Sequence, residues 1–229
     1  MVFSAAISIY AQNQNGPKHN SRPQQVAASP VPTRDTTTTE PVKYSYEFSQ
    51  PKFYIKHIVI EHDANGRGTV TFERLNEDVP VVEPLELSTT ALGRITASWQ
   101  ALRFLDSDTN YQADKQFPHL GTMRIGMQRG ERKRVAEFNW TNNSVASALV
   151  SEYRRAADQA ILVFDIAVAR ENQPLNAPKL MEVMESLLRR NGLSDPRQLL
   201  KLLEDISTDE HVPLIARNHA LRLIKQIQK

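Results

Sequence analysis

The chain has 229 residues and a formal net charge of +2, which leaves room for one or two domains. Cysteine is absent, so disulfides, thiolate zinc sites and cysteine nucleophiles are excluded together. A charge this close to balance excludes a polybasic or polyacidic chain and leaves local patches to decide the partner.

Residues 1–11 read MVFSAAISIYA, a short apolar run ending in small residues, as the region before a secretory cleavage site does. A basic n-region is missing, so the run is read as a truncated signal segment, with an ordinary terminus as the competing reading. The run is too short to span a bilayer. Residues 12–43 are rich in Gln, Asn, Pro, Ser and Thr and include Thr36, Thr37, Thr38 and Thr39 in succession. Such a stretch buries too little apolar surface to offset its ordering entropy, and it predicts a disordered polar spacer.

The folded part is expected to be an α+β domain over 44–172. Phe53 to His62, FYIKHIVIEH, is aromatic and β-branched and reads as a strand. Asn65-Gly66 lies at the heart of the following turn, and Thr69 to Arg74 is the return strand. Pro80 and Pro84 bracket what reads as an extended connection. Ser88 or Thr89 then caps a helix whose stripe is Leu92, Ile95, Trp99, Leu102 and Leu105, three and four apart. This spacing predicts a core role for Trp99.

A polar loop, Leu105 to Pro118, precedes a second hairpin with alternating Met123, Ile125 and Met127 and a turn at Gln128 to Glu131. Phe138 and Trp140 share one face of its return strand. A long helix from about Val145 to Arg170 follows, capped in the segment Thr141 to Ser144 and widely apolar in its second half. Asp165 stands inside that apolar half, which predicts a paired carboxylate because a lone buried charge is costly.

Residues 173–229 predict three helices with short loops, docked on the α+β domain. Pro178 starts the first, Asn191-Gly192 ends it with left-handed cap chemistry, and Ser194-Asp195-Pro196 opens the second. The third is expected to begin near Asp209, with Pro213 in its first turns. The fold class is therefore α+β: two hairpin–helix units making an antiparallel sheet covered by helices, then a small C-terminal helical bundle.

Three readings of function follow from these residues. The first is an interaction or structural domain without chemistry, because hairpins covered by helices on one face leave the other face open to a ligand. The second is a metal-assisted or acid–base hydrolase using Asp106, Asp108, Asp114 and His119, the densest acidic loop. The third is an anion or nucleic-acid contact through Arg129, Arg132, Lys133 and Arg134 at the second hairpin turn. Nucleic acid is disfavoured, since the nearby aromatics, Phe138 and Trp140, fall at core-compatible strand positions, which argues against stacking with bases. His57 and His62 are five residues apart on one strand, hence on opposite faces and unable to share an ion. No phosphate loop, HExxH or GxSxG sequence occurs, so no cofactor or metal is expected and no catalytic residue is assigned. The expected partner is a protein or an anionic envelope component, and the sequence specifies no oligomeric state.

The segments IVIEHDANGRGTVTFE, HLGTMRIGM, AEFNWTNN and FDIAVARENQPLNAPKLM resemble an uncharacterised group of exported proteins from acidobacterial-type soil bacteria. The resemblance covers Tyr46 to Lys229. It implies bacterial origin and a periplasmic or secreted location, and it implies no activity, cofactor or catalytic residue.

Overall fold

The computed structural model describes residues 40–229. The apolar segment 1–11 and the spacer through Thr39 lie outside the described residues. The last part of the expected spacer does not stay a spacer. Val42 to Ser49 reads VKYSYEFS, with Tyr44, Tyr46 and Phe48 alternating against Ser45, Glu47 and Ser49, and it forms a strand, β1 (Val42–Ser49).

Five more strands join it: β2 (Ile55–Asp63), β3 (Arg67–Arg74), β4 (Val81–Glu86), β5 (Thr122–Arg129) and β6 (Arg132–Phe138). All neighbours are antiparallel, in the order β4-β3-β2-β1-β5-β6. The α+β architecture stands, with two strands beyond the two expected hairpins. The expected extended connection is β4, an edge strand. Pro84 is tolerated there because an edge strand leaves half of its N–H groups without a ladder partner. β1, first in the chain, lies inside the sheet between β2 and β5.

Register fixes the two faces. Tyr46 pairs with Ile60 and Ile125, and Ile60 with Val70. All four are fully buried. Two helices cover this face, α1 (Thr89–Leu102) and α2 (Ser144–Asn172). Ser88 caps α1 by accepting from the Ala91 N–H at 3.1 Å. Asn143 caps α2 by accepting from the Val145 and Ala146 N–H groups at 3.0 and 2.9 Å. α1 buries Ala91, Ile95, Trp99 and Leu102, close to the expected stripe, and each large apolar side chain buried there contributes about 1.5–3 kcal/mol.

The second half of α2 serves another core. Leu162 and Ile166 pack with Met181, Met184, Leu203 and Leu223, which come from α3 (Ala177–Arg189), α4 (Leu200–Thr208) and α5 (Leu214–Ile227). α3 ends as expected: Asn191 takes φ 53° and the Gly192 N–H donates to the Leu187 carbonyl at 2.8 Å, the double-turn stop of a left-handed cap. Two expectations need correction. α5 begins at Leu214, after Pro213, because the Asp209 carboxylate caps a separate turn by accepting from the His211 N–H. Trp140 lies past the end of β6, is 44% exposed, and meets Phe117 edge-on at 5.2 Å.

Candidate interaction face of the sheet

Among the described residues, the helices pack on one face of the sheet and nothing covers the other. Across it, side chains from successive strands line up in rows set by the register. One row is made of charges. The His57 imidazole on β2 stands between two carboxylates, with Nδ1 at 3.1 Å from Glu73 on β3 and Nε2 at 3.1 Å from Glu47 on β1. Lys56 adds its ammonium at 3.5 Å from the second Glu73 oxygen. On the other side, Arg124 of β5 reaches Glu47 at 3.5 Å and Glu137 of β6 at 3.1 Å. The chain Lys56–Glu73–His57–Glu47–Arg124–Glu137 thus crosses five strands with alternating sign.

Two carboxylates can both be satisfied only if both imidazole nitrogens carry hydrogen. Burial pulls the His57 pKa down, but the hydrogen bonds and charges of Glu73 and Glu47 outweigh it, and the net shift is upward. In turn, the His57 hydrogen bond holds the Glu73 carboxyl below its usual range. Beside this row runs a shallow trough of about 350 Å³. Its floor is low because Gly126 has no side chain: a Cβ there would stand 2.4 Å from the Ser45 hydroxyl. Lys43, Glu61, Lys133 and Val135 rim it. Val82 and Val135 are exposed at 59% and 48%, which gives a polar face some apolar contact area.

The basic hairpin is not the open patch that its sequence suggests. Arg134 lies on the core side of β6, where its guanidinium donates to the Phe104 carbonyl at 2.7 Å and the Thr109 carbonyl at 2.6 Å. It also rests 4.6 Å from the Phe104 ring centroid. Arg132 donates to the Leu105 carbonyl at 2.7 Å and to Asp106 at 2.6 Å. These two arginines latch the 104–109 loop to β6, which leaves Arg129 and Lys133 as exposed cations at the turn. The exposed Trp140 is at the opposite end of β6, so among the described residues no aromatic platform stands beside them.

The acidic loop does not assemble either. Asp106 is spent on Arg132, whose hydrogen bond and charge hold its carboxyl below the usual range. Asp108, Asp114 and His119 are exposed. No group of three His, Cys, Asp or Glu side chains placed to hold a metal occurs among the described residues. Among the described residues the loop therefore offers no metal-holding cluster to the metal-assisted form of the hydrolase reading.

The remaining titratable candidates are structural. His62 faces the core, as its separation from His57 predicts. Its Nδ1–H donates to the Asp63 carbonyl at 2.7 Å, so Nε2 accepts, at 2.9 Å, from the Tyr153 hydroxyl. That hydroxyl accepts from Trp99 Nε1–H at 3.0 Å. Burial lowers the His62 pKa and raises that of Tyr153. Asp165 pairs with Arg74, whose guanidinium also lies over the Phe72 and Phe164 rings at 5.2 and 5.6 Å. His219 is buried beside Glu185. Sequence reasoning singled out His57 but missed the row that joins it to Glu47 and Glu73. The alternation YSYEFS carries that signal, but it follows directly on the polar spacer.

No family model matches the chain, and no curated protein matches it.

Proposed function

We propose that the chain is a non-catalytic interaction domain of an exported bacterial protein, and that its partner is another protein seated on the open face of the sheet. The observation that carries the reading is a face of the six-stranded sheet that no other described element covers, on which charges of both signs alternate. A polyanion such as nucleic acid or an acidic lipid surface calls for an excess of one sign. A balanced, laced face with scattered valines fits the polar surface of a protein that binds reversibly. The apolar run at 1–11 and the resemblance to exported proteins support a periplasmic or secreted location. Among the described residues, no helix is long and apolar enough to cross a membrane.

The test is cross-linking followed by pull-down from an envelope extract, with three forms of the chain. Arg124→Glu reverses one charge in the row, and an Arg129→Gln/Lys133→Gln form neutralises the hairpin tip. Loss of the same partner with Arg124→Glu but not with the hairpin form is the expected result. Equal recovery by all three forms removes the sheet face as the docking surface. Fractionation of cells expressing the full chain tests export separately.

A further inference from the structure

On the helical side of the molecule, away from the open sheet face, the two cores meet at a cleft of about 600 Å³. Its lining includes Arg94, Glu152, Arg155, Ser194, Asp195 and Arg197. We propose that this cleft binds an anionic sugar, taking sugar hydroxyls at Glu152, Arg155 and Ser194 and the acidic group at Arg197.

Glu152 sits at the centre. Its side chain is only 7% exposed, which is unusual for a carboxylate. One oxygen, Oε1, does all the pairing: it accepts from Arg94 Nε at 2.9 Å and from Arg155. The other oxygen is buried and has no partner among the described residues. Arg155 Nε and Ser194 Oγ are also buried without a partner among the described residues, and Ser194 as a whole is 6% exposed. Buried polar atoms are nearly always hydrogen-bonded, and leaving three unpaired in one place is costly.

The three atoms define the ligand. Glu152 Oε2 accepts only, Arg155 Nε–H donates only, and the Ser194 hydroxyl does both. A ligand hydroxyl both donates and accepts, so one hydroxyl can take Nε–H and give its proton to Oε2, and a second can meet Ser194. An amide nitrogen or a protonated amine donates only, so neither can serve both arginine and glutamate through one atom. Charge supplies the other half. Arg94, Arg155 and Arg197 outnumber Glu152 and Asp195, and Arg197 is exposed on the rim with a planar fork suited to carboxylate or phosphate. The cleft volume lies in the range of small-molecule sites. The site is held in shape from below: Arg94 also donates to the Ser194 carbonyl at 2.7 Å, and the Asp195 N–H donates to Gln159 Oε1 at 2.9 Å.

Isothermal titration of the full chain with glucuronate, glucose 6-phosphate, glucose and inorganic phosphate tests the assignment and distinguishes the two acidic groups. At least one anionic sugar is expected to bind more tightly than glucose or phosphate. Arg197→Ala, an exposed change that spares the buried pair, is expected to weaken that sugar about tenfold while leaving the binding of glucose unchanged. Ser194→Ala is expected to weaken both sugars. The proposal is overturned if no sugar binds, if inorganic phosphate binds as tightly as the sugar acids, or if Arg197→Ala and Ser194→Ala both leave the affinities unchanged.

Discussion

The Tyr153 hydroxyl joins three parts of the core at a single atom. It takes the Trp99 N–H from α1 and gives its own hydrogen to His62 on β2. Tyr153→Phe keeps the ring, which stacks on Tyr46 at 5.2 Å, but it leaves Trp99 Nε1 and His62 Nε2 unpaired in the interior. A loss of about 1–3 kcal/mol per orphaned group is expected in urea unfolding, against about 3–5 kcal/mol for Trp99→Ala, which opens a cavity. A Tyr153→Phe form as stable as wild type would mean the hydroxyl is dispensable. The two strand histidines act in opposite directions on pH. His57 has a raised folded pKa, so the folded state binds more protons than the unfolded one just above the ordinary histidine value of 6.5. Its stabilisation is complete below that value and is lost as pH rises through the folded pKa. His62 has a lowered folded pKa, so its contribution is complete above the ordinary value and is lost as pH falls through the folded one. Unfolding free energies for His57→Gln, measured across this range, should lack the wild-type decline on the alkaline side. A retained decline would place its origin elsewhere.

At the scale of elements, the hairpin β5–β6 gives the sharpest contrast. Arg129→Gln with Lys133→Gln removes two exposed cations and should change stability by about 0–1 kcal/mol. Arg134→Ala removes two carbonyl hydrogen bonds and the guanidinium packed on Phe104, and a loss of about 2 kcal/mol is expected. If the two forms unfold at the same denaturant concentration, the latch contributes nothing. Such distinctions mark the limit of what is legible in the sequence. Apolar periodicity located α1, α2, both hairpins and the C-terminal helices, because each carries its own stripe or alternation. It missed β4, since Pro80 and Pro84 together argue against a strand, yet Pro80 lies just before it and the edge position excuses Pro84 within it. It missed β1 because a strand of tyrosines and serines, next to a polar spacer, becomes a strand through its neighbours β2 and β5. The candidate sites suffered more. A run of arginines reads as one patch along the chain, yet alternation sends Arg134 to the core side and Lys133 to the open side. The Glu152 site is invisible in sequence, for its groups are brought together from α1, α2 and the loop after α3.

For the whole molecule the decisive element is α2, which supplies Tyr153 and Leu149 to one core and Leu162 and Ile166 to the other. Neither core closes without this helix, so damage to one should be felt in both. Leu203→Ala, in the C-terminal core, is expected to cost about 2–5 kcal/mol. In a Trp140→Phe background the fluorescence of Trp99 reports the sheet-side core alone. Its transition should shift together with the helical circular dichroism signal, as a single cooperative unit requires. Separate midpoints would show that the two cores melt independently.

The charge row on the open face has one further consequence. The imidazolium of His57 supplies one hydrogen to each neighbouring glutamate, and that second hydrogen is the proton that sets its charge. An incoming protein that brings its own ammonium or guanidinium to Glu47 or Glu73 does the same work and lowers the affinity for that proton. Docking should therefore expel hydrogen ions into the solvent at pH values around the raised His57 pKa. The calorimetric heat of association would then differ between phosphate and Tris in proportion to their ionisation enthalpies, and the difference should vanish with His57→Gln.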